Sequence, residues 1–300
     1  MRQTFDLILR GGDIVNHMGR GPGDVGVRGG VIHAIGDLSQ ADAAETINCA
    51  GLTVLPGVID TQVHFREPGK EHKEDLETGS RAAALGGVTA LFEMPNTDPS
   101  TTTVERLHDK FNRARNRMHV DFAFYAGGAV DNLEHLLAME KEPGCCGVKI
   151  FMSASTGSLL VSEDADLEAI LARVTRRVAI HSEDEHIMQA NRATRLREGD
   201  PTCHHEVRDV ASALNSTRRL LALARRTGAK VHVLHLTTAD ELPLLAAHRE
   251  HRDGGSVAQS SDAACAGLLS AAGRAGGAKS ADPGTTSPGR AVAGGAIWAC

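Results

Sequence analysis

No stretch of this 300-residue chain stays apolar for the length that a membrane span requires. Positive charge is not in excess either: 32 Lys and Arg face 38 Asp and Glu, a formal net charge of -6. That excludes a basic footprint for nucleic acid or for an acidic membrane surface. The opening residues, MRQTFDLILRGGDIVN, place charges inside their apolar run and show no cleavable signal pattern, so a soluble, cytoplasmic protein is expected. Paired cysteine spacing is also missing. Cys49, Cys145, Cys146, Cys203, Cys265 and Cys300 match neither a disulfide framework nor a zinc knuckle, and they read as small buried hydrophobes.

What is present is an ordinary globular composition, 41% hydrophobic and 23% charged, on a chain long enough for a sizeable core. Residues 1–53 read as short strands broken by glycine, in DLILRGGDIV, GDVGVRGGVIHAIG and ETINCAGLTVL, and predict a small N-terminal β-sandwich part. From Val54 the pattern becomes strand, loop, helix, repeated to about Asp253. The strand candidates are TVLPGVID, VTALFEM, VDFAFYA, GVKIF, RVAIH and KVHVLHL, with amphipathic helical stretches between them. Alternating strands and helices imply a parallel sheet covered by helices, and near-continuous apolar strands imply that both faces are buried.

Several of these strands end in polar or ionisable residues, among them Asp60, Glu93, His181 and His235. In a (β/α)8 barrel of the TIM type that end carries the active site. A doubly wound sheet would need a Gly-rich phosphate loop after its first strand, and none follows. The expected fold is therefore α/β: a barrel incomplete at the C-terminus, with about six strands over residues 54–253. Residues 254–300 are rich in Ala, Gly and Ser, with no convincing strand and Trp298 as the sole aromatic, so they predict a disordered or non-native tail. The abrupt change suggests a truncated or frameshifted reading of a longer protein.

The motifs VLPGVID, VHFREPG, KEDLETGSRAAALGGVT, EMPNT, GVKIFM, IHSEDE and VHVLHLTTA follow one another between residues 4 and 250. In that order the chain resembles the cyclic amidohydrolases, and among them the dihydroorotases most closely. The resemblance implies the barrel and a metal-dependent attack of water on a cyclic amide. It also implies zinc as cofactor, with His64, Lys149, His181 and His235 as ligands and Arg66 and Asn96 on a substrate carboxylate.

Each position also has a reading of its own. His64 follows a buried strand and could be a satisfied core histidine; neutral imidazole is equally a common zinc ligand. Lys149 alternates with Val148 and Ile150 on an apolar strand, where an unpaired ammonium is expensive. It is either ion-paired with a carboxylate or held neutral, and in the family such a lysine captures carbon dioxide as an anionic carbamate. Carbamylated Lys149 with His181 and His235 would make three ligands and leave a position open for water. Arg66 offers a planar fork for a carboxylate, or a salt bridge to Glu67 or Glu93. Asn96 could donate to the same carboxylate or shape the turn before Pro99.

Two departures from the family pattern matter. Gln62 stands where the family has the first histidine of His-x-His, which weakens the second metal site and points to one ion. The family's late-barrel aspartate, the proton shuttle, has no counterpart: Asp262 follows His235 too soon and Asp282 is no better placed. The sequence therefore predicts a dihydroorotase-type hydrolase, interconverting N-carbamoyl-aspartate and dihydroorotate in pyrimidine biosynthesis and impaired in this chain. The alternatives are a hydantoinase or allantoinase, or a non-catalytic subunit. Homo-oligomers or an aspartate carbamoyltransferase are the candidate partners.

Overall fold

The computed structural model describes residues 4–153 and 159–249, together with two short strand segments at 292–293 and 296–299. The N-terminal strands are β1 (Thr4–Asn16), β2 (Gly19–Arg28), β3 (Val31–Gly36), β4 (Asp42–Asn48) and β5 (Thr53–Pro56). They form one mixed sheet in which β1 pairs antiparallel with β2 and parallel with both β4 and β5. Two small apolar clusters sit on it, one around Leu9, Val25 and Val54 and one around Phe5, Ile8 and Leu38.

The run TVLPGVID reads as one strand but folds as two. At Gly57 the chain leaves β5 and enters β6 (Val58–Val63), which belongs to the second sheet. A side chain at Gly57 would lie 2.2 Å from Thr89 Oγ1, so the crossing between sheets is open only to glycine.

The second sheet continues through β7 (Val88–Glu93), β8 (Asp121–Gly127), β9 (Cys145–Phe151), β10 (Val178–His181) and β11 (Val231–Val233). All five pairings are parallel, and the strands stand in chain order from β6 to β11. This is six strands of a barrel, as the sequence predicts. Between them lie α1 (Leu76–Leu85), α2 (Val104–Ala114), α3 (Leu133–Met139), α4 (Asp164–Leu171), α5 (Glu185–Arg195), α6 (His204–Val207) and α7 (Val210–Thr227). A further helix, α8 (Leu242–Arg249), follows β11.

Local chemistry sets these ends. Asp75 and Thr78 close a capping box on α1, and Asp209 caps α7, which stops at Gly228 in a left-handed conformation. The strands bury both faces. Leu91, Phe124, Val148, Ile150 and Val231 pack toward the helices, while Phe92, Ala123, Tyr125 and Ala179 fill the other side.

Two segments differ from expectation. Residues 201–207 form a short 3₁₀ turn and α6 inside the crossover from β10 to β11, where periodicity is too short to announce a helix. In the tail, β12 (Val292–Ala293) and β13 (Ala296–Ala299) form, with β13 parallel to β5, contrary to the reading that no strand follows Asp253. A free strand edge such as that of β5 accepts main chain of almost any composition. The rest of the tail, and with it the expected disorder and residues Asp262 and Asp282, lies outside the described residues. Of the cysteines, Cys49, Cys145, Cys146 and Cys203 are buried free thiols as expected.

Candidate functional site

The C-terminal ends of β6, β9, β10 and β11 bring four of the expected residues to one mouth. His181 is the last residue of β10, whereas His64 and His235 lie just beyond β6 and β11. His235 was expected within a strand to residue 236, but β11 ends at Val233. The backbone turns there: His235 has φ 34°, and Arg66 has φ 62°. The third non-glycine residue with positive φ is Asn116, a residue type that tolerates it. Strain of this kind, about 1–3 kcal/mol per residue, gathers at functional sites.

His181 and His235 face each other. Nδ1 of His181 lies 3.0 Å from Nε2 of His235, with the rings inclined at 63°. Nε2 of His181 meets Glu183 Oε2, and a carboxylate only accepts, so the proton is on Nε2 and Nδ1 is a bare lone pair. The ring of His235 is hydrogen-bonded to its own main chain, which leaves Nε2 turned toward His181. At 3.0 Å one proton is shared between these two nitrogens in the metal-free protein, and a cation would take that proton's place. Zinc–nitrogen bonds of about 2.0–2.1 Å at a tetrahedral angle set the two nitrogens about 3.3–3.4 Å apart. The observed spacing needs only a small adjustment to meet that.

Lys149 lies close enough to His64 and His235 for its charge to act on both. It is fully buried, and its Nζ has no hydrogen-bond partner among the described residues. It lies 4.2 Å from the centre of the Phe151 ring. Burial alone pushes its pKa well below the usual lysine range. The ion-paired alternative for Lys149 is thereby ruled out among the described residues. Its register neighbours, Ala179 on β10 and Gly127 on β8, are both small.

His64 belongs to the same cluster. Burial, then the charge of Arg66, pushes its pKa down to about 4, against a hydrogen bond with Asn96; Lys149 and His235 add to the depression. His235 is also pushed down to about 4, by burial first and then by His181 and Lys149. His235 stays open to solvent on its outer side, so its shift counts for less in stability than its size suggests. Both rings are neutral near pH 7, the form that binds metal.

A folded pKa below the unfolded one means that the unfolded chain binds protons first. Stability of the metal-free protein therefore falls as pH drops from about 6.5 toward 4. His64→Gln should remove up to roughly 3 kcal/mol of that dependence, read as the difference in denaturant midpoints at pH 7 and pH 4.5.

The two substrate-side candidates differ. Asn96 is engaged with His64, so it helps orient that ring rather than standing open. Arg66 has no ion pair among the described residues, because its two expected partners are taken. Glu67 accepts from Arg117 at 2.7 and 3.0 Å and from the main chain of Leu76, and Glu93 is paired with Lys110 behind the sheet. Glu93, expected at the mouth, is thus buried between β7 and α2. Gln62 is half-buried, its main-chain N–H bonded to Asp60.

A cavity of about 330 Å³ opens beside the histidine pair, lined by His181, Glu183, His204, Arg208, His235 and Glu241 among others. That is the small end of the range for small-molecule sites. Among the described residues no three His, Cys, Asp or Glu side chains converge to hold a metal. Two imidazoles alone do not complete a metal site, and an ammonium cannot serve as a further donor.

Residues 51–199 match the family model for dihydroorotase-like proteins. Over 257 residues the chain is 38% identical to an allantoinase of Rubrobacter xylanophilus, covering 82% of this chain and 56% of that one. An allantoinase of Deinococcus radiodurans is 34% identical over 248 residues, covering 80% and 55%. The L-hydantoinase of Arthrobacter aurescens superposes with a TM-score of 0.75 at 31% identity, over 80% of this chain and 55% of that structure.

The chain belongs to the cyclic amidohydrolase superfamily. It spans about half the length of the curated relatives it matches. Sequence resemblance favoured dihydroorotase among these amidohydrolases, whereas the relatives named here are allantoinases and a hydantoinase, the stated alternative. No helix among the described residues is long and apolar enough to cross a membrane. Two residues of this amidohydrolase mouth escaped sequence reasoning, Glu183 and Arg208. Glu183 sits two residues after His181 in IHSEDE and had a local signal; Arg208 comes from the unforeseen segment around α6 and had none.

Proposed function

We propose that this chain carries a one-metal centre for hydrolytic opening of a cyclic ureide of the allantoin or hydantoin type. The observation that carries the reading is the buried Lys149 amine, without a hydrogen-bond partner among the described residues, near two histidines whose ring nitrogens face each other at 3.0 Å. A neutral amine adds carbon dioxide to give a carbamate and one released proton. His181, His235 and carbamylated Lys149 would hold the ion, and His64 stands beside them with Gln62 in place of a further imidazole. A divalent cation there supplies Lewis acidity toward the ring carbonyl and toward the attacking water.

The chain's own groups set the rest. Arg66 would orient the substrate, and Asn96 bonds to His64. Proton transfer is the weak point. Among the described residues the carboxylates of the cavity are Glu183, tied to His181 and Arg208, and Glu241, which accepts from Thr217 and Thr238 at 2.6 Å each. Neither is free to shuttle a proton, so slow turnover is expected.

A second reading rests on Arg66. An unpaired guanidinium at the mouth suits a ring bearing a carboxylate, which keeps dihydroorotate in view. The test is turnover of allantoin, hydantoin and dihydroorotate by the purified, zinc-loaded chain, with and without chelator. Ring opening of allantoin or hydantoin that the chelator abolishes supports the first reading. Turnover of dihydroorotate alone, lost in Arg66→Met, supports the second. A metal-loaded chain that opens none of them is a non-catalytic relative.

A further inference from the structure

Glu183 is more than a neighbour of His181. Three donors converge on its Oε2: Nε2 of His181, Nη1 of Arg208 and, at 3.5 Å, Oγ of the buried Ser153. Arg208 also lies 3.4 Å from Nε2 of His181. A guanidinium has no lone pair to offer that nitrogen, so a proton on Nε2 is taken by Glu183. Arg208 follows α6, in the extra turn-and-helix segment that interrupts the β10–β11 crossover. That segment is fixed to α5 and α7 by its own bonds. Arg195 donates to the main chain of Glu206 at 2.9 Å and to Asp209 at 3.0 Å, and Asn191 donates to the carbonyl of Val207 at 3.1 Å.

We propose that Arg208 is a positioning residue: through Glu183 it locks His181 in the Nε2-protonated tautomer, so that Nδ1 is presented to the metal centre. The inference rests on the one-metal reading of the site, but the tautomer it assigns is a property of the metal-free protein. Carboxylates that orient ligating histidines change metal affinity by about 10–100-fold when removed. Here the crossover insertion, not the barrel strand, decides whether that carboxylate is in place.

The test uses the full chain and two readouts. Imidazole nitrogen NMR of the metal-free protein, with His181 assigned by His181→Gln, should show Nδ1 unprotonated and Nε2 protonated. Arg208→Met should mix the two tautomers and weaken zinc binding about 10–100-fold in competition with a chromophoric chelator. Glu183→Gln should do the same. Arg208→Lys, which keeps the charge without the fork, should recover part of both. Circular dichroism melts show which variants are folded. If Arg208→Met unfolds, Arg208→Lys and Glu183→Gln carry the comparison. An Nδ1-protonated His181 in the parent chain overturns the proposal. So does an unchanged tautomer with unchanged zinc affinity in the folded variants. If the parent chain shows the assigned tautomer but binds no zinc, the one-metal reading has failed instead, and the coupling of Arg208 to the tautomer still decides this one.

Discussion

Lys149→Met should abolish ring opening, by at least about 10³-fold, and at the same time stabilise the metal-free protein. The loss follows from removing the donor that completes the centre. Lewis-acid stabilisation of several kcal/mol disappears, at about 1.4 kcal/mol per factor of ten. The gain follows from the same atom. Nζ of Lys149 is buried without a hydrogen-bond partner among the described residues, and an unsatisfied buried donor costs about 1–3 kcal/mol. Methionine has a similar shape, no such donor, and a sulfur suited to the Phe151 ring that now lies beneath the amine. Melting temperature should rise by several degrees. An ion-paired lysine predicts the opposite sign, because breaking a buried pair destabilises by about 3–5 kcal/mol. Thermal melts and turnover on the same preparation separate the two.

Lys110→Met should have the second large effect, this time purely on folding. Lys110 and Glu93 are both almost fully buried and contact each other between β7 and α2, and Nζ of Lys110 also donates to the carbonyl of Met94 at 3.0 Å. Met94 in turn donates its N–H to Val63 at 3.0 Å, so this pair braces the two chain segments that carry His64 and Asn96. Removing Lys110 strands Glu93, with an expected loss of about 3–5 kcal/mol, while Glu93→Met with Lys110→Met together should be near neutral.

The pair also has a pH signature. Burial raises Glu93 to about 7 against the pull of Lys110. Between about 4.5 and 7 the unfolded chain gives up a proton that the folded chain keeps. The contribution of Glu93 is therefore fully present below about 4.5 and is lost as pH rises through 7. This slope is opposite to that of His64. Glu93→Gln should remove the one and His64→Gln the other, as read from denaturation midpoints across pH 4 to 7.5.

The barrel was legible because its signals are repetitive. Apolar strands such as GVKIF and RVAIH alternate with capped amphipathic helices, and no single residue has to be read correctly. The positions at the mouth were legible through their setting: Lys149 on a buried strand, His181 and His235 after apolar runs. What failed were features that depend on contacts distant in sequence. Glu93 reads as a mouth residue until Lys110, 17 residues on, takes it behind the sheet. Asn96 reads as a substrate donor, and its bond to His64, 32 residues earlier, has no local signal. Arg208 has no motif, since its role comes from a crossover segment folding back on Glu183, 25 residues earlier. Substrate class was the least legible. Arg66 suggested a carboxylate, but a guanidinium fork specifies an anion and not the ring that bears it, and the relatives the chain matches are named allantoinase and hydantoinase.

Metal stoichiometry tests the account most directly. Elemental analysis of the purified full chain, after zinc loading and removal of free metal, should give one zinc ion per chain in the parent protein. It should give none in Lys149→Met or in His181→Ala. Two tightly held ions in the parent chain, or the same zinc content in Lys149→Met as in the parent, would contradict it.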